Sequence, residues 1–497
     1  MRDWGLGGAV GRTGLGLAVV LGQLLGWSGL GATAPAASKP ASAGVQCDGP
    51  YKGKLLSPKL LYQTLEAHGQ WLDHSRSGSH PANLCQADLR NAKLGGMTLE
   101  RVNLEGANLR QAHLAQANLI QTSLAGADLT SAVLKEANLS GADLRHTRLA
   151  GATLTGVIGN EAAFYNAAMA GAQLQESNLE RAHFEGADLQ ATNWTDANVT
   201  ESYFYGANLS RAVLATADLA GSDFRRTDLS RAVLLRASLE GAQLDGAHLR
   251  GARLLEADLE GAFLDGADLR EVDARDTGFR GADLRYTRWD GAQLQDADLE
   301  EANLENARLV KANLESAQLS LAVLYKATLT QANLRGAHVN RAVLILAQAP
   351  GADFTQADLS EIHAPHAVLS GARFDEAVLE AANLVGADLS GAHMQHVELL
   401  DVNLQDADLH GTVFVDADFT GARLEGANLT RARFHGAQLS GALGLTQLQL
   451  NTACVDEQTS LPTGLTRPAP CPRAEAAAKP SKAPSGKTKK SAPRGHR

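Results

Sequence analysis

From Leu84 to Leu439 every fifth residue is an apolar position, and the phase holds through 72 successive units. Leu fills 52 of these central positions and Phe, Met, Trp or Val another 16, while Gly159, Ala274, Ala349 and Ala364 are undersized. Two residues before each centre stands a small residue, nearly always Ala, as in Ala82-Asn83-Leu84 and Ala107-Asn108-Leu109. A fixed period constrains a chain more than any composition does, because each repeat must bury its apolar face against its neighbours. Five matches neither the two-residue alternation of a strand nor the 3.6 of a helix. On an α-helix, positions five apart are displaced by about 140°, so the Leu stripe would wind off any face. The chain must instead turn a corner between inward groups and stack its coils through ladders at ~4.8 Å spacing. That is a solenoid with polygonal coils.

The number of sides follows from the largest side chains. Phe164, Phe184, Phe204 and Phe224 are twenty apart, and so are Phe354, Phe374, Met394, Phe414 and Phe434. Four units per lap turn each series into a stacked column, and a ten-residue offset puts the two columns on opposite sides of a square. The fold class expected is an all-β solenoid, a quadrilateral β-helix of about 18 coils roughly 85 Å long, with short helical caps. The small residue before each centre is read as the one that fits near a corner already crowded by four Leu. At Gly159 we expect a local bulge in which Ile158 replaces the missing Leu. Ala349 and Ala364, beside Pro350 and Pro365, are expected to loosen their corners.

The period divides the chain. Residues 1–43 read as an export signal: Arg2 and Arg12 precede an uncharged stretch, and small-residue sequences such as Ala32-Thr33-Ala34 follow. A retained inner-membrane anchor is the lesser alternative, since the run is Gly-rich and short of the ~20 apolar residues of a span. Residues 44–80 form an N-terminal capping segment with one helix, opened by Ser57-Pro58. Residues 81–440 are the repeat, residues 441–456 a C-terminal capping helix, and residues 457–497 a disordered, Pro/Lys-rich basic tail. The product is expected outside the cytoplasm, periplasmic or extracellular. Four cysteines, Cys47, Cys85, Cys454 and Cys471, flank the repeat, and the simplest pairing is Cys47–Cys85 with Cys454–Cys471, against four unrelated thiols.

The repeat resembles the pentapeptide-repeat proteins, whose unit is Ala-(Asp/Asn)-Leu-X-X. Ala142-Asp143-Leu144-Arg145, Ala382-Asn383-Leu384-Val385-Gly386 and Ala427-Asn428-Leu429-Thr430-Arg431 stand in that frame. The resemblance covers about three quarters of the chain and implies a right-handed coil. The flanks, His68-Gly69-Gln70-Trp71-Leu72 and Leu445-Thr446-Gln447-Leu448, also look like segments that bracket such repeats in bacterial proteins.

Chemistry is scarce on the surface. No nucleophile elbow, metalloprotease helix, phosphate loop or dinucleotide fingerprint occurs, so no catalytic, cofactor or metal residue is assigned. Six histidines, His363, His366, His393, His396, His410 and His435, crowd the C-terminal third, and the four-sided register does not bring all six to one face. Tyr165, His183, Tyr203 and Tyr205 are the better candidates: rings twenty apart should stack on neighbouring coils and mark a partner footprint. Residues 81–440 carry 48 Asp/Glu and 29 Lys/Arg, a net of 19 negative charges, so the rod should not bind nucleic acid directly. The basic tail could touch anionic surfaces. The reading is a non-enzymatic scaffold of the envelope or exterior that binds an unknown protein, with oligomeric state open. The resemblance supplies an alternative, an acidic duplex-DNA mimic that binds DNA gyrase and protects against quinolones. One net charge per ~4.5 Å is sparse beside the ~1.7 Å of duplex DNA.

Overall fold

The computed structural model describes residue 47, residues 49–73 and residues 81–468. The expected export signal, Cys471 and most of the basic tail lie outside these residues. Parallel bridges join residue n to residue n+20 throughout the repeat, along four ladders begun by Asn83↔Asn103, Asp88↔Asn108, Lys93↔His113 and Thr98↔Asn118. Four units therefore make one lap of a right-handed quadrilateral β-helix. We number its walls from the N-terminus by their centres: first (84, 104, …), second (89, 109, …), third (94, 114, …) and fourth (99, 119, …).

One unit shows why the residues sit where they do. The Leu104 N–H donates to Ser123 O of the next lap at 2.7 Å, and the Asn108 N–H to Ala87 O of the lap before at 2.9 Å. The Ala107 N–H closes a four-residue turn on Leu104 O at 3.0 Å, and the Gly106 N–H reaches Ala125 O at 2.8 Å. Gly106 has φ 61°, the left-handed conformation this corner demands, and elsewhere Arg211 or Glu361 adopts it instead. Only the Glu105 N–H lacks a backbone acceptor, and Asn103 Oδ1 takes it at 3.0 Å. This is the physical reason for the frequent Asn or Asp one residue before a centre: a backbone donor without a backbone acceptor must be paired, and a short side-chain oxygen two residues back reaches it.

Inside, the centres and the small residues are buried almost without exception. Phe164, Phe184, Phe204 and Phe224 stack at 4.8, 4.9 and 4.6 Å on the first wall. Phe354 stacks on Phe374 at 5.0 Å, and Phe414 on Phe434 at 4.9 Å, on the third. Where Ser or Thr replaces the small Ala, its hydroxyl donates to a backbone carbonyl, as Thr122 does to Leu99 O at 2.7 Å. Two indoles are buried the same way: Trp194 Nε1 donates to Thr192 Oγ1 at 2.7 Å and Trp289 Nε1 to Thr287 Oγ1 at 2.8 Å.

The undersized centres correct three expectations. There is no bulge at Gly159: Ile158 keeps its ladder place, points outward and is 46% exposed. A Cβ on Gly159 would lie 2.7 Å from Leu179 Cδ2, so the Leu of the next lap occupies the space. Ala349 and Ala364 donate to Val368 O and Asn383 O at 2.7 and 2.8 Å, so neither corner is loosened. The sequence around these centres explains them. Gly159 precedes Phe164 by one unit, Ala274 precedes Phe279, Ala349 precedes Phe354, and Ala364 lies opposite Phe374 in its lap. A small centre offsets a ring in the same cross-section and keeps its volume near that of four Leu.

Helix α1 (Pro58–Asp73) closes the N-terminal end, burying Leu61, Leu65 and His68. His68 clamps it. Nδ1 accepts the Ala82 N–H at 3.2 Å, which leaves Nε2 protonated to donate to Glu100 O at 2.8 Å. Burial pushes the imidazole pKa down, as this neutral role requires. A Cys47–Cys85 disulfide ties the segment ahead of α1 to the first lap.

At the other end the third-wall ladder runs through β1 (His393–Gln395), β2 (Val413–Val415) and β3 (Arg433–Phe434). The one-turn helix α2 (Gln447–Leu450), with a Thr446/Gln449 capping box, then replaces a wall. Gln449 Nε2 donates to Leu424 O and Ala427 O, pairing carbonyls of the lap below. The chain then re-enters the coil as β4 (Cys454–Val455), which pairs with Arg433 and Phe434, and Ser460 pairs with Gln438. The cap is thus a helical turn followed by strand, and order continues past 456: Thr459 is buried and Arg467 donates to Thr459 O at 3.0 Å. Cys454 is disulfide-bonded.

Candidate functional site

The register sorts the outward side chains by wall. All five tyrosines of the repeat, Tyr165, Tyr203, Tyr205, Tyr286 and Tyr325, lie on the first wall, together with Phe263. Tyr203, Tyr205, Phe263, Tyr286 and Leu346 of this wall are 37–54% exposed. The one other exposed large apolar side chain of the described repeat body is Ile158, on the fourth wall.

Of the four ring residues singled out in the sequence, three form one stack. Tyr165 and His183 have centroids 5.0 Å apart, and His183 and Tyr203 4.7 Å apart, with planes within 20°. Tyr205 stands beside the stack with the guanidiniums of Arg225 and Arg226 at 6.0 and 5.9 Å from its centroid. The stacking closes both faces of His183 and the inner faces of Tyr165 and Tyr203, so the stack offers mainly ring edges and hydroxyls to a partner. Burial pushes the Tyr165 hydroxyl up to about 12, helped by the Glu185 carboxylate, so it remains a donor at neutral pH. Glu185 Oε1 contacts His183 Nδ1 at 3.2 Å, and its buried Oε2 has no hydrogen-bond partner.

A second patch lies six laps further along the same wall, and reading inward columns alone missed it. Val323, Tyr325, Ile345 and Leu346 face outward together over Val343, which they leave only 4% exposed, with Lys326 Nζ 4.7 Å from the Tyr325 centroid. Between the patches run Asp245, Phe263, Asp265 and the Arg285–Asp283 ion pair. The Asp265 N–H donates to Asp245 Oδ1 at 3.0 Å. Burial, with the neighbouring Asp265 and Asp283 charges, raises the Asp245 pKa.

The other walls are polar and unequal. The fourth carries 17 Asp/Glu and 4 Lys/Arg, the first 10 and 6, the third 12 and 8, and the second 9 and 11. Of the 19 net negative charges, 13 therefore stand on the fourth wall, opposite a wall of net +2. The six C-terminal histidines spread over three walls, with His363 and His366 on the first, His410 on the second, and the rest on the third. Among the described residues no group of His, Cys, Asp or Glu is arranged to hold a metal ion, and no helix is long and apolar enough to cross a membrane.

One family pattern and several solved structures resemble the chain. The family pattern described as "Pentapeptide repeats (8 copies)" matches residues 82–361 almost continuously and 372–443 beyond them. Among solved structures, HetL, a pentapeptide repeat protein involved in heterocyst differentiation regulation from the cyanobacterium Nostoc sp. strain PCC 7120, is 34% identical. The match covers 48% of this chain and 89% of that one, with a TM-score of 0.22. The full-length plasmid-mediated fluoroquinolone resistance protein QnrB1 is 18% identical over 37% of this chain and 92% of that one, TM-score 0.23. Rfr23, from the cyanobacterium Cyanothece 51142, is 27% identical over 28% and 85%, TM-score 0.10. Curated proteins offer no match.

Proposed function

The chain belongs to the pentapeptide-repeat family, and from that premise we propose that it is a non-enzymatic protein-binding rod whose first wall is the contact surface. One observation carries this reading: every exposed tyrosine and phenylalanine ring of the described repeat body stands on a single wall, which bears two patches six laps apart with Phe263 and Tyr286 between them. Tyrosine and buried aromatic anchors are the side chains that dominate protein interfaces. Mutually stacked rings also favour a partner that packs against edges and hydroxyls over a small stacking ligand. A disulfide at the cap fits an oxidising compartment, so the envelope or the exterior is where the partner is to be sought. The test is affinity capture from envelope extract with the full chain, repeated with Tyr165→Ala and Tyr203→Ala together. Loss of a specific captured protein on the double substitution supports the contact wall. Equal capture by the wild type and the variant contradicts it.

The fourth wall favours a second reading, gyrase binding by charge mimicry of a duplex, since it concentrates 13 net negative charges on one side. A supercoiling assay decides it. Inhibition that disappears when Glu300 and Glu301 become Gln supports mimicry, and full gyrase activity at saturating protein removes it.

A further inference from the structure

The order of residues along the first wall is self-complementary. A two-fold axis lying in the plane of that wall, across the rod, reverses the laps and leaves each outward column facing itself. With the axis at the lap of Phe263, Tyr205 of one copy meets Tyr325 of the other and Tyr203 meets Val323, while His183 falls over the nearly covered Val343. The two apolar patches, six laps apart, cover each other. At the corners the knobs meet holes: Leu346 falls opposite Gly186, and Tyr286 opposite Gly246.

Charge selects the same register. Arg225 falls opposite Glu305 and Asp245 opposite Arg285, and the axis doubles each pair. Asp223 meets Asn303, which can donate to it. A slip of one lap in one direction puts Arg225 against Arg285 and Asp245 against Asp265. A slip in the other puts Asp245 against Glu305, with Asp265 against Arg285 as its compensation, and loses both opposite-charge pairs of the central register. Both slips set like charges face to face where the central register sets opposite ones. Two kinds of unfavourable contact remain, Asp265 against its own copy beside the Phe263 pair and the Glu185 carboxylate against Ile345. Identical coil spacing in the two rods keeps every lap in step, which two unrelated proteins would lack.

We propose that the first wall docks on the same wall of a second copy, the rods antiparallel and the axis at the lap of Phe263. The proposal rests on reading that wall as a contact surface and names its occupant. Eleven laps from Tyr165 to Pro365 at ~4.8 Å give ~53 Å of contact, and three outward residues per lap give ~10 Å of width. This flat footprint of roughly 500 Å² places the pair at the small end of specific interfaces, where micromolar association is usual.

The test is the light-scattering mass of the full chain from about 1 to 100 µM, a span bracketing micromolar affinity. The expected result is a reversible rise from monomer to dimer. Arg225→Glu alone and Glu305→Arg alone should each weaken association about tenfold or more, and the two together should restore it. Asp265→Asn should tighten it, a gain that misfolding cannot imitate. Melting temperatures of the variants check that the fold survives. A monomer at 100 µM, failure of the double exchange to restore association, or a dimer disrupted by Glu300→Arg on the fourth wall overturns the proposal. A chain that stays monomeric yet still captures an envelope protein through Tyr203 loses only this inference and keeps the contact wall.

Discussion

The first and fourth walls are built by the same inward code and differ completely outside. Both present Leu-type centres, small corner residues and an Asn or Asp that pairs the next N–H but one, as Asn303 does for Glu305 and Asp298 for Glu300, at 3.1 and 2.9 Å. Outward, one wall carries rings and the other carboxylates. The fold therefore constrains the centre and the small residue two before it, and leaves three outward positions to carry function. Those three acquire meaning only when they are sorted by lap and wall.

The contrast between inside and outside should break most visibly at adjacent residues. Phe204→Ala removes a ring stacked on both sides and should cost ~3–5 kcal/mol by denaturant unfolding. Tyr203→Ala, one residue away and outward, should cost about 1 kcal/mol or less. Comparable losses would mean that the wall's surface rings hold the coil together. Next in size is Thr192→Val, which leaves the Trp194 indole N–H buried without an acceptor and should cost about 1–3 kcal/mol. The outward Thr200→Val on the fourth wall should be nearly silent in the same melt.

The shared code predicts equality across the two walls. Asn303→Ala and Asp298→Ala each strip one backbone N–H of its acceptor and should each cost about 0.5–1.5 kcal/mol, within error of one another. A difference larger than that range would show that the walls are not built alike.

The smallest effect is electrostatic and has the opposite sign. The Asp245 pKa is raised in the folded chain, so its charge penalises folding above that pKa and the penalty is relieved as pH falls through it. Asp245→Asn keeps the oxygen that accepts the Asp265 N–H. It should stabilise by a few tenths to about 1 kcal/mol at pH 7. The gain should fade toward pH ~3, where the unfolded carboxyl is also protonated. A gain that persists at low pH would point to packing rather than charge.

Much of the fold was legible because a strict period leaves few geometries. The columns of Phe at twenty-residue spacing fixed the square, and Tyr165, His183 and Tyr203 stack as their register requires. Tyr205 differs, because its column neighbour in the next lap is Arg225 and its ring takes up guanidinium contacts. The undersized centres were misread one at a time, although Gly159, Ala274 and Ala349 each stand one unit before a Phe. Volume is shared across a whole lap, so no single position reveals it. The Trp–Thr pairs were readable in the same way, as a hydroxyl two residues before each buried indole. The second apolar patch on Val323, Tyr325, Val343, Ile345 and Leu346 needed outward columns sorted by wall. The return of the chain into the coil at Cys454 and Ser460 left no periodic trace, since the pairing offset grows from 20 residues to 21 at Cys454 and 22 at Ser460.

The most direct test of the contact wall is hydroxyl-radical footprinting of the full chain in envelope extract, compared with the purified chain at low concentration. Protection should concentrate at Tyr165, Tyr203, Tyr205, Phe263 and Tyr325, leaving Ile158 and the rest of the fourth wall as reactive as before. Protection centred on the fourth wall, or spread evenly over all four, would contradict the account.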